Sequence, residues 1–208
     1  MPDPLTHLLL IRHGESSWNR AGRIQGQRDP GLSELGQAQA ARLAAGMRVY
    51  EVSAVYSSPL LRAHDTAAAI AGGIGAPVRL DPRLMEAGFG EWEGLTRAEA
   101  AMRFPAQIER WHADPIAHRP PGGETIQALQ ARAMAAVAGV VERHRGETVA
   151  IVTHAGVIRA ALCGLLELPL AVYPRLRLEN ASISRLLFTP RRIVLAGCND
   201  IAHLRDDG

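Results

Sequence analysis

Cysteine is scarce, with two in 208 residues, Cys163 and Cys198. Both sit in apolar stretches without CxxC or histidine spacing, which argues against a disulfide framework or a zinc site and leaves two buried small hydrophobes. The chain also lacks any apolar run near the roughly 20 residues that span a bilayer. The few apolar residues between Pro4 and Arg12 are too short for a signal segment, so the expected compartment is the cytoplasm, with no membrane partner. A one-signed charge run is missing, and the formal net charge is only +2, which gives no basis for a nucleic-acid partner. Neither a repeat nor a low-complexity block marks a linker. Arginine far outnumbers lysine and alanine is abundant, a trait of GC-rich coding that carries no functional weight.

What is present is a globular composition, 47% hydrophobic and 21% charged. The length suits one α/β domain with a sizeable core. The expectation is a single unit over residues 1–208, with an excursion at about 84–122.

The most informative stretch opens the chain. Leu8-Leu9-Leu10-Ile11 has no polar face and reads as a strand buried on both sides, as in a parallel sheet. Arg12-His13-Gly14 follows at its carboxyl end, where ligands bind in open α/β sheets. Gly14 removes a side chain where backbone would approach an anion. The pattern suggests a phosphate site with a histidine nucleophile. Val149 to Thr153 repeats the logic, ending in His154-Ala155-Gly156. If the two strands are neighbours, His13 and His154 face each other.

Between these strands the punctuation is regular. Ser33 caps an alanine-rich helix from Glu34 to about Met47, and Ala54-Val55-Tyr56 is a short buried strand. Ser58 and Pro59 read as the cap and first residue of a helix that Gly72-Gly73 ends. Arg62 falls in its first turn, a poor place for a cation unless an anion joins it. Val78 to Leu80 is a brief strand. Residues 83–94 form a shaped loop, and a long helix begins at Ile126 and ends near Arg143. Two further strands, Ser182 to Phe188 and Arg192 to Asn199, complete the sheet.

Six motifs in order resemble the histidine phosphatase superfamily, the phosphoglycerate mutase-like proteins. They are Arg12-His13-Gly14-Glu15 with Trp18-Asn19; Arg23-x-Gln25-Gly26 with Leu32-Ser33-x-x-Gly36; Ser57-Ser58-Pro59-x-x-Arg62-Ala63-x-x-Thr66-Ala67; Glu86-x-x-Phe89-Gly90-x-Trp92-Glu93-Gly94; Pro121-Gly122-Gly123-Glu124; and Thr153-His154-x-Gly156-Val157-Ile158-Arg159. Gly31 departs from the proline usual before Leu32, which touches loop stiffness rather than chemistry.

The resemblance implies a three-layer α/β/α sandwich with a mostly parallel central sheet, and a phosphomonoester hydrolase working through phosphohistidine. His13 would be the nucleophile and Glu86 the proton donor, with Arg12, Arg62 and His154 holding the phosphoryl oxygens. Asn19, Gln25, Gly26 and Ala155 are further candidates for phosphate contact. No metal or cofactor is implied, the partner is a small phosphomonoester, and a homodimer stays open. Two alternatives remain, a cofactor-dependent phosphoglycerate mutase and a non-catalytic phospho-ligand binding protein. Mutases resemble longer chains with Arg-His-Tyr-Gly after the acid, whereas this chain has Ala87-Gly88-Phe89-Gly90, as in phosphatases. The substrate is left among broad-specificity targets, α-ribazole phosphate, sugar phosphates and phosphoglycerate derivatives.

Overall fold

The computed structural model describes residues 5–205. The first four residues, part of the stretch read for a signal segment, lie outside them, as do the last three of the expected 1–208 unit.

In chain order the elements are β1 (Thr6–Arg12), α1 (Ser17–Arg20), α2 (Glu34–Gly46), β2 (Ala54–Ser57), α3 (Leu61–Ile74), β3 (Val78–Leu80), α4 (Arg97–Arg103), α5 (Pro105–Ala113), α6 (Ile126–Arg143), β4 (Thr148–Thr153), α7 (Ala155–Leu165), β5 (Ile183–Phe188) and β6 (Ile193–Asp200). The sheet runs β3-β2-β4-β1-β5-β6. The pairs β3/β2, β2/β4 and β4/β1 are parallel, while β1/β5 and β5/β6 are antiparallel. The sheet is therefore mixed, with its parallel part at the side that carries the motifs.

Alternation along the strands sorts side chains to two faces. Leu9, Ile11, Val55, Ala150 and Val152 pack with α2 and α3 residues such as Leu43, Ala67 and Ile70. Leu8, Leu10, Tyr56, Val149 and Ile151 pack with α6 and α7 residues such as Leu129, Val137 and Ile158. Helices thus cover both faces, and the central strands are apolar throughout because both sides are buried. The result is an α/β/α sandwich.

Three local expectations need correction. The helix after β2 starts at Leu61, with Leu60 as its cap residue, not at Pro59. The Ser58 hydroxyl is held by His154, with Nε2 at 2.8 Å, as well as by the Leu60 amide. The same helix passes through Gly72-Gly73 to Ile74 and ends on Gly75, at φ +70°. Two glycines cost a helix about 1 kcal/mol each, a cost that the packing of Ile70 and Ala71 in the core offsets. Cys198 is exposed on the edge strand β6, whereas Cys163 is buried in α7, and both are free thiols.

Candidate active site

Register brings the two histidines together. Arg12 lies opposite Thr153 in the parallel β1/β4 pair, and the His13 amide donates to the Thr153 carbonyl at 3.0 Å. Each strand has a histidine as its next residue. The rings of His13 and His154 stand edge to face, with centroids 5.1 Å apart.

Nδ1 of His13 is 2.6 Å from the Gly14 carbonyl oxygen. A carbonyl only accepts, so Nδ1 carries the proton and Nε2 keeps its lone pair. Burial, followed by the charges of Arg62 and Arg12, holds the His13 imidazolium well below its ordinary range. The ring is neutral at neutral pH, the form a nucleophile requires.

His154 is fully buried, and burial with Arg62, His13 and Arg12 likewise keeps it neutral. Its Nε2 is 2.8 Å from Ser58 Oγ, which also accepts from the Leu60 amide at 3.3 Å. A hydroxyl both donates and accepts, so this contact is met by either tautomer of His154, whose other ring nitrogen is Nδ1. Among the described residues that Nδ1 has no acceptor.

The arginines are anchored by their tips. Arg12 donates from Nη1 to the Leu178 carbonyl at 2.6 Å. Arg62, only 1% exposed, donates from Nη1 and Nη2 to the carbonyls of Arg28 and Gly26, both at 2.8 Å. Nε of each is buried without a protein acceptor among the described residues. An unsatisfied buried donor costs about 1–3 kcal/mol, so the two guanidinium Nε groups near His13 suit an anionic ligand. Burial lowers both guanidinium pKa values, and Glu86 opposes the shift at each.

Glu86 accepts from the amides of Ala87 at 2.9 Å and Gly156 at 3.2 Å. Gly156 belongs to the first turn of α7, whose positive end favours a carboxylate. The backbone under Glu86 is gripped by Arg132 of α6. Arg132 donates to the carbonyls of Arg83 at 2.8 Å, Met85, and Glu86 at 3.0 Å. Its Nε and Nη2 form a fork on the Glu124 carboxylate at 2.7 and 2.8 Å.

Backbone contact explains the glycine of the first motif. A Cβ on Gly14 would lie 2.6 Å from the Gly36 carbonyl oxygen, and one on Gly36 would lie 1.9 Å from that of Glu15. The Gly14 amide also donates to Thr66 Oγ1 at 3.1 Å, tying the loop to α3.

A cleft of about 1010 Å³ opens here, lined by Arg12, His13, Asn19, Gln25, Gly26, Arg62, Glu86 and Ala155 among others. His154 is not among the residues that line it, and its ring stands against that of His13, which is. Asn19 Oδ1 accepts from the Ser16 amide at 3.1 Å in a capping box of α1, and Gln25 Oε1 from Ser16 Oγ at 2.7 Å. Both amide NH2 groups have no protein acceptor among the described residues. Gly26, at φ +52°, offers its carbonyl to Arg62. The far wall comes from Phe89, Trp92 and Trp111, packed edge to face at 5.8 to 6.1 Å.

Sequence reasoning missed Ser58 and Arg132 as site residues. Ser58 resembled a cap, and Arg132 was hidden as a surface position beside the apolar stripe of Leu129 and Ala133. A charged residue bordering such a stripe was the available signal.

Comparison with known proteins adds the relatives. The model of the histidine phosphatase superfamily (branch 1) matches residues 8–201. The chain is 35% identical over 200 residues to phosphoserine phosphatase 1 of Hydrogenobacter thermophilus, covering 96% of this chain and 95% of that one. It is 37% identical over 188 residues to glucosyl-3-phosphoglycerate phosphatase of Mycobacterium tuberculosis, covering 86% and 84%. The solved structure of Bacillus stearothermophilus YhfR matches with a TM-score of 0.91 at 34% identity, covering 96% of this chain and 100% of that one.

Proposed function

The chain belongs to the histidine phosphatase superfamily, and from that membership we propose that it hydrolyses small phosphomonoesters through a phosphohistidine on His13. It is a metal-independent phosphoric monoester hydrolase. The observation that carries the covalent reading is the 2.6 Å bond from His13 Nδ1 to the Gly14 carbonyl, which leaves Nε2 free on a neutral ring.

In the first step Nε2 attacks phosphorus, forming the P–N bond as the bond to the leaving oxygen breaks. Glu86 gives its proton to that oxygen. In the second step water attacks phosphorus, Glu86 takes a proton from it, and the P–N bond breaks to release phosphate and neutral His13. Arg12, Arg62 and His154 match the charge spread over the phosphoryl oxygens. The NH2 groups of Asn19 and Gln25, with Gly26 and Ala155, complete the phosphate site. Residues 84–122 act as an excursion that roofs one domain. The cytoplasm, where small phosphorylated metabolites are made, is the compartment this reading assigns.

The test is hydrolysis of p-nitrophenyl phosphate with EDTA present, coupled to trapping of an acid-labile phosphoenzyme. Unimpaired turnover with a trapped intermediate is expected. Interconversion of phosphoglycerates that outpaces hydrolysis and is stimulated by 2,3-bisphosphoglycerate would identify a mutase instead. Phosphate binding without turnover would identify a binding protein.

A further inference from the structure

Among the described residues five arginines line the cleft, Arg12, Arg23, Arg62, Arg97 and Arg159, against a single carboxylate, Glu86. A cleft of one sign concentrates anionic ligands. Two of the five belong to the phosphoryl site. Arg23 is spent on the Gly94 carbonyl at 2.6 Å and on Glu99 at 3.4 Å, and Arg97 is exposed at the start of α4.

Arg159 is different. It is half-buried in α7, its Nε is fixed to the Leu176 carbonyl at 2.7 Å, and its guanidinium carbon sits 5.9 Å from the centre of the Tyr173 ring. Both terminal nitrogens lack an acceptor among the described residues. What remains is a held fork with two terminal nitrogens whose geometry suits a ligand group offering two oxygens. Gly156 brings Tyr173 and the acid together. A Cβ there would lie 2.3 Å from Glu86 Oε1 and 3.0 Å from the Tyr173 hydroxyl, and with Arg159 against the Tyr173 ring the three line one side of the cleft. The acid protonates the leaving oxygen, so this wall is where the leaving group's body lies.

We propose that Arg159 selects phosphomonoesters whose leaving group carries a carboxylate, an inference that rests on the phosphatase reading above. One fork with one positive charge, its Nε already used, matches the two oxygens and single charge of a carboxylate better than a second phosphate dianion. Arg159 is then a specificity residue and Arg12 with Arg62 the phosphoryl clamp.

A matched pair tests it. 3-Phosphoglycerate and glycerol 3-phosphate transfer the same group from a similar alkoxide and differ by a carboxylate against a hydroxymethyl. The wild-type enzyme should favour the former in kcat/KM by on the order of ten- to a hundredfold. Arg159→Gln should bring the ratio to within about threefold of unity, and Arg159→Lys, which keeps charge without the fork, should retain part of it. A wild-type ratio near one, a ratio that survives in Arg159→Gln, or a preference for propane-1,3-diol bisphosphate over 3-phosphoglycerate would each overturn the proposal. If Arg159→Gln fails to fold, the wild-type ratio and Arg159→Lys decide. p-Nitrophenyl phosphate has no carboxylate, so its turnover without acid preference sinks this proposal alone, while its inertness sinks the phosphatase reading first.

Discussion

Gly156 and Glu86 are in such close contact that the glycine amide donates to the carboxylate at 3.2 Å while a Cβ on the same residue would lie 2.3 Å from Oε1. Glu86 has its place because residue 156 has no side chain. Gly156→Ala should therefore displace the carboxylate and lower kcat by about 10²-fold, the scale of an ångström misplacement. The site is helical, where alanine is favoured over glycine by about 1 kcal/mol, so thermal stability should hardly fall. Kinetics paired with a melting curve separate the two effects, and a large drop in melting temperature would contradict the account.

Glu86→Gln removes a proton rather than a shape. The p-nitrophenolate ion leaves readily unprotonated, while an alkyl alkoxide needs the proton, a difference of about 10²–10⁴-fold for a positioned acid. Rapid-quench phosphorylation rates should fall much more for alkyl phosphates than for p-nitrophenyl phosphate. Equal losses would assign the proton elsewhere. By contrast, His13→Ala should abolish turnover of every substrate and leave no phosphoenzyme to trap.

Arg132 holds three backbone carbonyls at and before Glu86, as well as the Glu124 carboxylate. Arg132→Ala should cost about 1–3 kcal/mol of stability, discounted for partial exposure. It should also reproduce the leaving-group pattern of Glu86→Gln in weaker form. Lysine cannot replace a planar fork, so Arg132→Lys should rescue neither. Denaturant curves and the two-substrate comparison decide, and a loss that is equal for both phosphates would make Arg132 purely structural.

The imidazoles of His13 and His154 are held well below the ordinary value of 6.5, both chiefly by burial. Below pH 6.5 the unfolded chain binds protons that the folded chain refuses, so stability is complete above that pH and declines as pH falls. One unit lower, each group removes up to about 1.4 kcal/mol, or about 3 kcal/mol for the pair. His203, also lowered by its burial, pushes the same way. Urea unfolding at pH 7.5 and 5.5 reads this loss, and His13→Asn should shrink it. Equal stability at both pH values would mean the histidines are charged when folded.

The buried strands were legible because Leu8 to Ile11 and Val149 to Thr153 have no polar face, and each ends in a histidine. Adjacency of β1 and β4 then followed only from the structure, since a one-dimensional pattern does not say which strands pair. The antiparallel run of β5 and β6 was hidden for the same reason. Arg12 and Arg62 stood out as charges at a strand end and in a helix's first turn, whereas Glu86 was one of three acids in a shaped loop and was singled out only through the resemblance. Ser58 was not, because a serine before a proline satisfies a helix cap as well as a histidine. Cys198 was misjudged because an edge strand and an inner one share the same apolar lettering, and only the neighbour on the far side buries the residue.

Trp92 is buried and Trp111 stands edge to face with it at 5.8 Å in the cleft wall, while the third tryptophan, Trp18, packs near Gly94. The molecule therefore carries its own optical reporter. A substrate body that displaces water from that wall changes the polarity around Trp111, so occupancy is readable as a shift in ultraviolet emission, without label or turnover. A Trp111→Phe variant would darken that signal, which makes the cleft's filling observable independently of any bond it breaks.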